Sequence, residues 1–202
     1  MNKRILYLAL IVLVVGSMLL GACKPKAPEL GTEENPIIWA VVPSGETERV
    51  VAGFEQVSKI LFDETGLVVK PLVATEYAGV IEALASDPPK AHMASLATFA
   101  YILAAEKGVA QAELVAERFG SAVYNGQIYT RKDSGLNTIA DLKGKAFCRP
   151  DPLSTSGWII PSITLKAAGI NPDTDLTIVD AGSHDAQLQR ETPLRWRRTS
   201  SM

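Results

Sequence analysis

Three adjacent hydroxyl side chains, Ser154, Thr155 and Ser156, lie between two apolar stretches of the chain. The stretch before them, Lys145 to Cys148, predicts a strand, and the apolar residues after them recur with the period of a helix: Ile159, Ile160, Ile163, Leu165 and Ala168. A helix that starts at such a turn has backbone N–H groups without intrahelical partners at the positive end of its dipole. This turn is therefore predicted to bind an oxyanion, unless a serine there only caps the helix.

Histidine provides a second candidate donor at the end of a later predicted strand. His184 follows the small residues Ala181-Gly182-Ser183, and either nitrogen of its ring can donate to an oxyanion. The alternative is a solvent-exposed loop histidine. The second histidine, His92, falls inside a predicted strand and is interpreted as a satisfied structural residue rather than a ligand.

Three further polar or reactive residues carry weaker predictions. Ser95 and Thr98 fall at a predicted strand end and helix start, where they could supply donors from across a cleft. Cys148 lies in an apolar strand and is interpreted as a small hydrophobic residue.

The chain has only two cysteines and no paired cysteine and histidine pattern. We therefore expect no metal, no other cofactor and no structural disulfide.

Composition narrows the class of protein further. The 202 residues are 47% hydrophobic, as in globular proteins, and could form one domain or two small lobes. With 20 basic and 22 acidic residues, the formal net charge is −2. Such a chain has no overall field that would attract nucleic acid, so we expect no nucleic-acid partner.

The first 22 residues have the pattern of an export signal. Met1-Asn2-Lys3-Arg4 is positively charged, and the apolar run Ile5 to Leu20 would span about 24 Å as a helix, less than the roughly 30 Å of a bilayer core. A signal peptide fits this pattern better than a permanent span. It ends in Leu20-Gly21-Ala22-Cys23, which resembles a bacterial lipobox, with an ordinary cleaved signal as the alternative. Cys23 is thus the predicted lipidation site, and the domain is expected to lie outside the cytoplasm, anchored to the membrane by lipid.

The region after Cys23 divides into a tether and a first lobe. Residues 24–35 are rich in Lys, Pro, Glu, Gly and Thr and predict a flexible tether. Between residues 36 and 130, strands and helices alternate, which predicts a parallel sheet covered on both faces. The predicted strands are residues 36–43, 67–73, 91–96 and 114–117; the predicted helices are residues 46–64, 77–85 and 98–107; residues 122–131 are predicted to be extended.

A partial second lobe is predicted over residues 131–185. It starts with a short capped helix and turn at residues 138–145, continues through the hydroxyl turn and the helix that stops at Gly169, and includes a strand at residues 176–179. From Gln187 onward we see no apolar period, and residues 186–202 are interpreted as a tail foreign to the fold, for example from a frame change or truncation in the coding sequence.

Several segments together resemble the substrate-binding lipoproteins of bacterial phosphate/phosphite/phosphonate ABC transporters. The resemblance covers about residues 36–185 and rests on Ala74-Thr75-Glu76-Tyr77-Ala78-Gly79-Val80-Ile81-Glu82-Ala83-Leu84, on Thr98-Phe99-Ala100-Tyr101-Ile102-Leu103-Ala104, on Ser154-Thr155-Ser156-Gly157 followed by Pro161, and on Ala181-Gly182-Ser183-His184. It implies an α/β fold of the periplasmic-binding-protein type II, with two lobes of parallel-rich sheets flanked by helices. Crossing strands join the lobes, which close over the ligand.

The resemblance also implies the roles of individual residues. Ser154, Thr155, Ser156 and His184 would hold the oxygens of a phosphonate, phosphate or phosphite, and Tyr77 and Tyr124 would line the opposite wall. Packing is the alternative for both tyrosines. The implied partners are this ligand and the permease of an ABC importer, with the protein acting as a monomer and not as an enzyme.

The sequence departs from the family pattern after Asp185. In this family the chain returns from the second lobe to the first, and acidic residues of that portion are expected to hold an amine-bearing ligand. No residue after Asp185 matches them, so we expect an incomplete second lobe, and a non-functional fragment is one alternative.

Other functional classes remain as alternatives. A sulfonate or another oxyanion could replace the phosphonate, because helix N-termini do not distinguish such groups sharply. A hydrolase with Ser154 or Ser156 as nucleophile and His184 as base is disfavoured, since Gly-x-Ser-x-Gly, an orienting carboxylate and a metal cluster are all absent from the sequence pattern. A structural or adhesive lipoprotein is a further alternative, and such a protein would need no concave polar site.

Overall fold

The computed structural model describes residues 28–117 and 119–191, in which strands and helices alternate as expected. The strands are β1 (Ile37–Val41), β2 (Val69–Val73), β3 (Met93–Ser95), β4 (Ala146–Arg149) and β5 (Thr177–Asp180). The helices are α1 (Thr47–Thr65), α2 (Tyr77–Ala85), α3 (Thr98–Glu106), α4 (Ile160–Ala167), α5 (Pro172–Asp175) and α6 (His184–Glu191), with a 3₁₀ helix at Ile139–Leu142 and a π-helical turn at Thr155–Ile159.

The first sheet is parallel, with the strand order β2-β1-β3. Its middle strand places Trp39 opposite Pro71 of β2 and Met93 of β3. Proline lacks an N–H group, and β2 tolerates Pro71 because it is an edge strand. Helices connect the three strands, as parallel pairing requires.

The second sheet is a parallel pair of β4 and β5. Arg149 lies opposite Asp180 at its end, and the Arg149 Nε–Asp180 Oδ1 distance is 2.6 Å. We call β1–β3 with α1–α3 the first lobe, and β4–β5 with α4–α6 the second lobe. The type II α/β arrangement expected from the sequence is therefore observed, with two strands in the second sheet of the described chain.

Each lobe has its own hydrophobic core. The first comprises Ala40, Val42, Tyr77, Val80, Ile81, Ala83, Ala91, Ala100 and Ala104. The second comprises Leu142, Phe147, Trp158, Leu165 and Ile170. Small alanines in the first core allow α2 and α3 to lie close to β1, whereas aromatic rings fill the second core.

Helix boundaries follow the local signals in the sequence. α1 ends where Gly66 adopts a left-handed backbone, with φ of 72°, and donates its N–H to the Phe62 carbonyl at 2.8 Å. Glycine is favoured there because it has no Cβ. The 3₁₀ helix begins with a capping box, in which Asp141 accepts from the Thr138 N–H at 2.8 Å.

Two sequence predictions are corrected by the structure. Residues 114–117 form no strand; Leu114 and Val115 are 95% and 71% exposed, because no neighbouring strand pairs with them. The organisation does not stop at Asp185 either, because α6 continues to Glu191.

The predicted tether is also partly wrong. Residues 28–35 form a turn that is fixed to the start of β2, since the Val68 N–H donates to the Gly31 carbonyl at 2.8 Å. Within the turn, the Gly31 N–H donates to the Asn35 carbonyl at 2.8 Å. Local polar hydrogen bonds, which composition does not reveal, hold this segment.

The signal segment, Cys23 and residues 192–202 lie outside the described residues. Among the residues that are described, no helix is both long enough and apolar enough to cross a membrane.

Candidate oxyanion-binding site

The hydroxyl turn forms the predicted helix N-terminus, with Ser154 as its cap. Ser154 Oγ accepts from the Gly157 N–H at 3.2 Å, and the Ser154 carbonyl accepts from both the Trp158 and Ile159 amides at 3.0 Å. The turn is π-helical before α4 begins, a local widening that often occurs at functional sites. Ser154 therefore fulfils the capping role that was the alternative to anion binding.

Gly157 makes the close packing of this turn possible. A Cβ atom at position 157 would lie 2.3 Å from Pro150 Cγ and 2.5 Å from Pro150 Cδ. Real Cβ contacts are not this short, so any other residue would displace the turn from the end of β4. The glycine thus places the Ser154 cap against Pro150.

The three hydroxyl groups have different surroundings. Ser154 is buried, with 1% exposure, and Thr155 Oγ1 accepts from the Phe99 N–H at 2.8 Å. Within the described chain, the Ser156 hydroxyl and the backbone amides of Thr155 and Ser156 have no hydrogen-bond partner. These three groups are thus the donors that the turn can offer to an oxyanion.

A cavity of about 310 Å³ lies beside this turn, and three of the predicted residues line it: Tyr124, Ser156 and His184. Its walls are the segment of residues 124–131, β4, the hydroxyl turn and α6. Gly126 lies against the turn, since a Cβ there would be 3.6 Å from the Ser156 carbonyl oxygen. A cavity of this size is sufficient for a small ligand.

Tyr77, Ser154 and Thr155 lie outside that lining. Tyr77 was expected to line the wall opposite the hydroxyl turn, with packing as the alternative; it is 2% exposed and its ring belongs to the first core. Burial raises the pKa of Tyr77 above its ordinary 10.0, and a hydrogen bond with the Ser154 side chain acts in the opposite direction. Tyr77 therefore contacts Ser154 rather than the cavity.

His184 connects the cavity to this buried pair. Its Nε2 lies 3.4 Å from Ser154 Oγ, and it begins α6. Burial lowers the pKa of His184 below its ordinary 6.5, while the Asp185 carboxylate partly opposes this effect. The lowered pKa favours the neutral form of the imidazole, which has one N–H group to donate.

Sequence reasoning missed several polar residues of the cavity wall. Arg131, Asn125, Gln127 and Gln187 all line it. Arg131 also pairs with Asp133 through Nε and Nη2, at 2.9 and 2.6 Å. Most of these residues lie in a segment without periodic structure, so no pattern in the sequence marks them.

A positively charged side chain, Arg149, also lies next to the hydroxyl turn. The guanidinium of Arg149 stacks over the Trp158 ring at 4.6 Å from its centroid, and Phe147 lies 5.9 Å from the same ring. Asp180 pairs with this guanidinium. Stacking and pairing fix Arg149 at the end of β4, next to the turn.

The remaining predicted residues have structural partners. His92 Nδ1 accepts from the Ile38 N–H at 3.0 Å, as expected for a satisfied histidine. Ser95 Oγ accepts from Trp39 Nε1 at 3.1 Å, and Thr98 begins α3. Cys148 is half-buried and lines the cavity.

Across residues 28–117 and 119–191, no group of three or more His, Cys, Asp or Glu residues is arranged to hold a metal ion.

The fold is that of solved solute-binding proteins. A binding protein component of an ABC phosphonate transporter from Pseudomonas aeruginosa matches with a TM-score of 0.56 and 22% identity, over 72% of this chain and 51% of that one. PhnD1 from Prochlorococcus marinus, solved in complex with methylphosphonate, matches with a TM-score of 0.56 and 15% identity, over 78% and 60%.

Sequence comparison defines the family. The chain is 27% identical to the phosphate-import protein PhnD of Mycolicibacterium smegmatis over 196 residues, which cover 92% of this chain and 60% of that protein. The family of phosphonate ABC transporter periplasmic substrate-binding proteins matches residues 39–190, and the chain belongs to it. The match includes residues 186–190, which sequence analysis had assigned to a foreign tail. The family is one of substrate-binding proteins.

Proposed function

We propose that the protein is an extracytoplasmic solute-binding component of an ABC importer that binds phosphonate, phosphate or phosphite. Family membership supports this proposal, as do two relatives whose names include phosphate import and a methylphosphonate complex. The chain spans 60% of the curated relative and 51% and 60% of the two solved proteins. The phosphorus oxyanion ligand and the permease partner are therefore proposals for this chain, extended from these longer relatives.

The observation that carries the proposal is the set of donors on the hydroxyl turn. The Ser156 hydroxyl and the Thr155 and Ser156 amides lie at one helix N-terminus, and the His184 ring, at the start of α6, lines the same cavity as Ser156. Each hydrogen bond to a charged oxygen contributes about 1.5–3 kcal/mol, so four of them would support micromolar binding after the cost of association. Tyr124 would lie at the rim of the site.

Tyr77 and Ser154 have a supporting role in this proposal. Ser154 contacts both Tyr77 and His184, and its hydroxyl oxygen already accepts from Gly157. These contacts would hold the His184 ring in one orientation toward the ligand. A sulfonate or another tetrahedral oxyanion is the alternative ligand of the same site, because the donors recognise geometry and charge.

We further propose that Cys23 carries the lipid that anchors the protein at the outer face of the cell membrane, after removal of residues 1–22. Support comes from the sequence pattern around Leu20-Gly21-Ala22-Cys23 and from the periplasmic family. Residues 36–130 would form the first lobe with its crossing segment, and the second lobe would begin near residue 131. Mass spectrometry of the mature N-terminus would test the anchor: an unmodified cysteine would contradict it.

Ligand binding can be tested by titration calorimetry of the full chain with methylphosphonate, phosphate, phosphite and sulfate. We expect micromolar or tighter binding of at least one phosphorus oxyanion. Ser156→Ala is expected to weaken that binding roughly tenfold or more, because it removes one hydrogen bond to a charged group.

Ser162→Ala is the matched control. The Ser162 hydroxyl belongs to α4 but donates to the Ile159 carbonyl at 2.8 Å, outside the cavity. Its loss should leave affinity unchanged. Absence of binding for all four anions, or equal effects of the two variants, would contradict the proposed site.

A further inference from the structure

Three helices of the first lobe begin without a capping side chain of their own. Their N-cap residues are Glu46 for α1, Glu76 for α2 and Ala97 for α3, and none of these side chains accepts a hydrogen bond from its helix. The first turn of a helix has N–H groups without intrahelical acceptors, and alanine cannot cap them. Acceptors for these N–H groups come from solvent or from elsewhere in the chain.

Asp151 supplies the acceptor for α2 from the other lobe. Its Oδ2 accepts from the Tyr77 N–H at 3.1 Å, across 74 residues of sequence, and its Oδ1 accepts from the Leu153 N–H at 2.7 Å. The carboxylate is buried, with 7% exposure. A buried carboxylate is retained at low cost only where hydrogen bonds satisfy its oxygens, as both oxygens are here.

Thr155 and Asp185 do the same for the other two helices. Thr155 Oγ1 accepts from the Phe99 N–H at the start of α3, and Asp185 Oδ2 accepts from the Glu46 N–H at 3.1 Å, at the start of α1. Asp185 also pairs with the Arg49 guanidinium in the first turn of that helix. Carboxylates next to helix N-termini are additionally stabilised by the helix dipole.

The packing around these contacts fits closely. Leu153, two residues after Asp151, packs against the core of the first lobe. At Gly45, a Cβ atom would lie 3.1 Å from Asp185 Oδ2 and 2.9 Å from Arg49 Nη2, so the absence of a side chain allows Asp185 to approach α1. Apolar and polar contacts thus lie together at one boundary between the lobes, which we call the seam and which includes Asp151, Leu153, Thr155 and Asp185.

We propose that Asp151, Thr155 and Asp185 are positioning residues that set how the second lobe docks on the first, by capping three first-lobe helices from across the seam. The three caps act together, because each requires the same placement of the second lobe. This inference goes beyond ligand binding and does not depend on it, since every contact lies within the protein. It also gives Thr155 a role distinct from that of Ser156.

Amide hydrogen exchange of the full chain without ligand, resolved by NMR, tests the proposal. Thr155→Val removes the acceptor with little change of shape, and Thr155→Ser retains it. In the valine variant we expect exchange to accelerate roughly tenfold at Phe99 and also at Tyr77 and Glu46, because undocking exposes all three amides together. The serine variant should match the parent protein at all three positions.

The pattern of exchange separates docking from a local cap. Acceleration at Phe99 alone, or at none of the three amides, would overturn the proposal. If the valine variant fails to fold, Asp185→Ala provides the same test at Phe99 and Tyr77. Its control is Asp63→Ala, which removes an exposed partner of Lys59 within α1 and should leave those two amides unchanged.

Discussion

His184 is the titratable residue through which pH acts on the proposed site. Burial lowers its pKa below 6.5 in the folded protein, so on acidification the unfolded chain takes up this proton first. Its contribution to the free energy of unfolding is therefore constant above pH 6.5 and becomes unfavourable as pH falls below that value.

The corresponding variant is His184→Gln. Between pH 7.5 and 5.5, the thermal midpoint of the parent protein should fall more steeply than that of the variant, because only the parent carries the half-buried imidazole. Thermal unfolding without ligand would measure both curves. If the thermal midpoints of parent and variant changed in parallel with pH, His184 would not titrate differently in the folded and unfolded states, which would contradict the prediction.

The hydroxyl residues also show what sequence reasoning can and cannot assign. The run Ser154-Thr155-Ser156 before an apolar period correctly predicted a helix N-terminus, since capping chemistry is local. Their separate roles were not predictable, because the partner of Thr155 is Phe99, 56 residues away. The tyrosine partner of Ser154, Tyr77, is still more remote in sequence.

At the scale of elements, the π-helical turn depends on a single glycine. Gly157→Ala should lower the free energy of unfolding by about 1–3 kcal/mol, because the new methyl group must displace the Pro150 ring or the turn itself. It should also weaken anion binding, since the donors of residues 155 and 156 move with the turn. Urea unfolding and calorimetry measure the two effects.

Gly126→Ala is the control for that substitution. A methyl group at position 126 would make an ordinary contact of 3.6 Å with the Ser156 carbonyl oxygen. We expect it to change stability by less than about 0.5 kcal/mol. Equal losses in the two variants would mean that glycine flexibility, rather than the Pro150 contact, decides the effect.

Helices were predicted well and isolated strands less well. The bounds of α2 were predicted exactly as observed, and those of α1 within one residue, because an apolar period and a glycine stop are local signals. Residues 114–117 have strand-forming side chains but no strand to pair with. Pairing is a property of the sheet, which a short apolar run does not encode.

At the scale of the whole molecule, the parallel pairing of the strands was predicted from the α/β alternation, but the docking of the lobes did not follow from any pattern. The contact between Asp151 and Tyr77 joins residues 74 apart, and that between Asp185 and Glu46 joins residues 139 apart. Neither pair has a local sequence signature. The strand and helix pattern and the family resemblance both predicted two lobes, whereas the contacts between the lobes are visible only in the structure.

The two aromatic indoles among the described residues are divided between the lobes. Trp39 lies edge-on to Phe54 at 4.9 Å in the first lobe, and Trp158, 8% exposed beneath Arg149, lies two residues from Ser156 in the second. Each lobe therefore contains an intrinsic fluorophore in a distinct environment. Tryptophan emission can thus report on the surroundings of each lobe, without attaching a dye to either lobe.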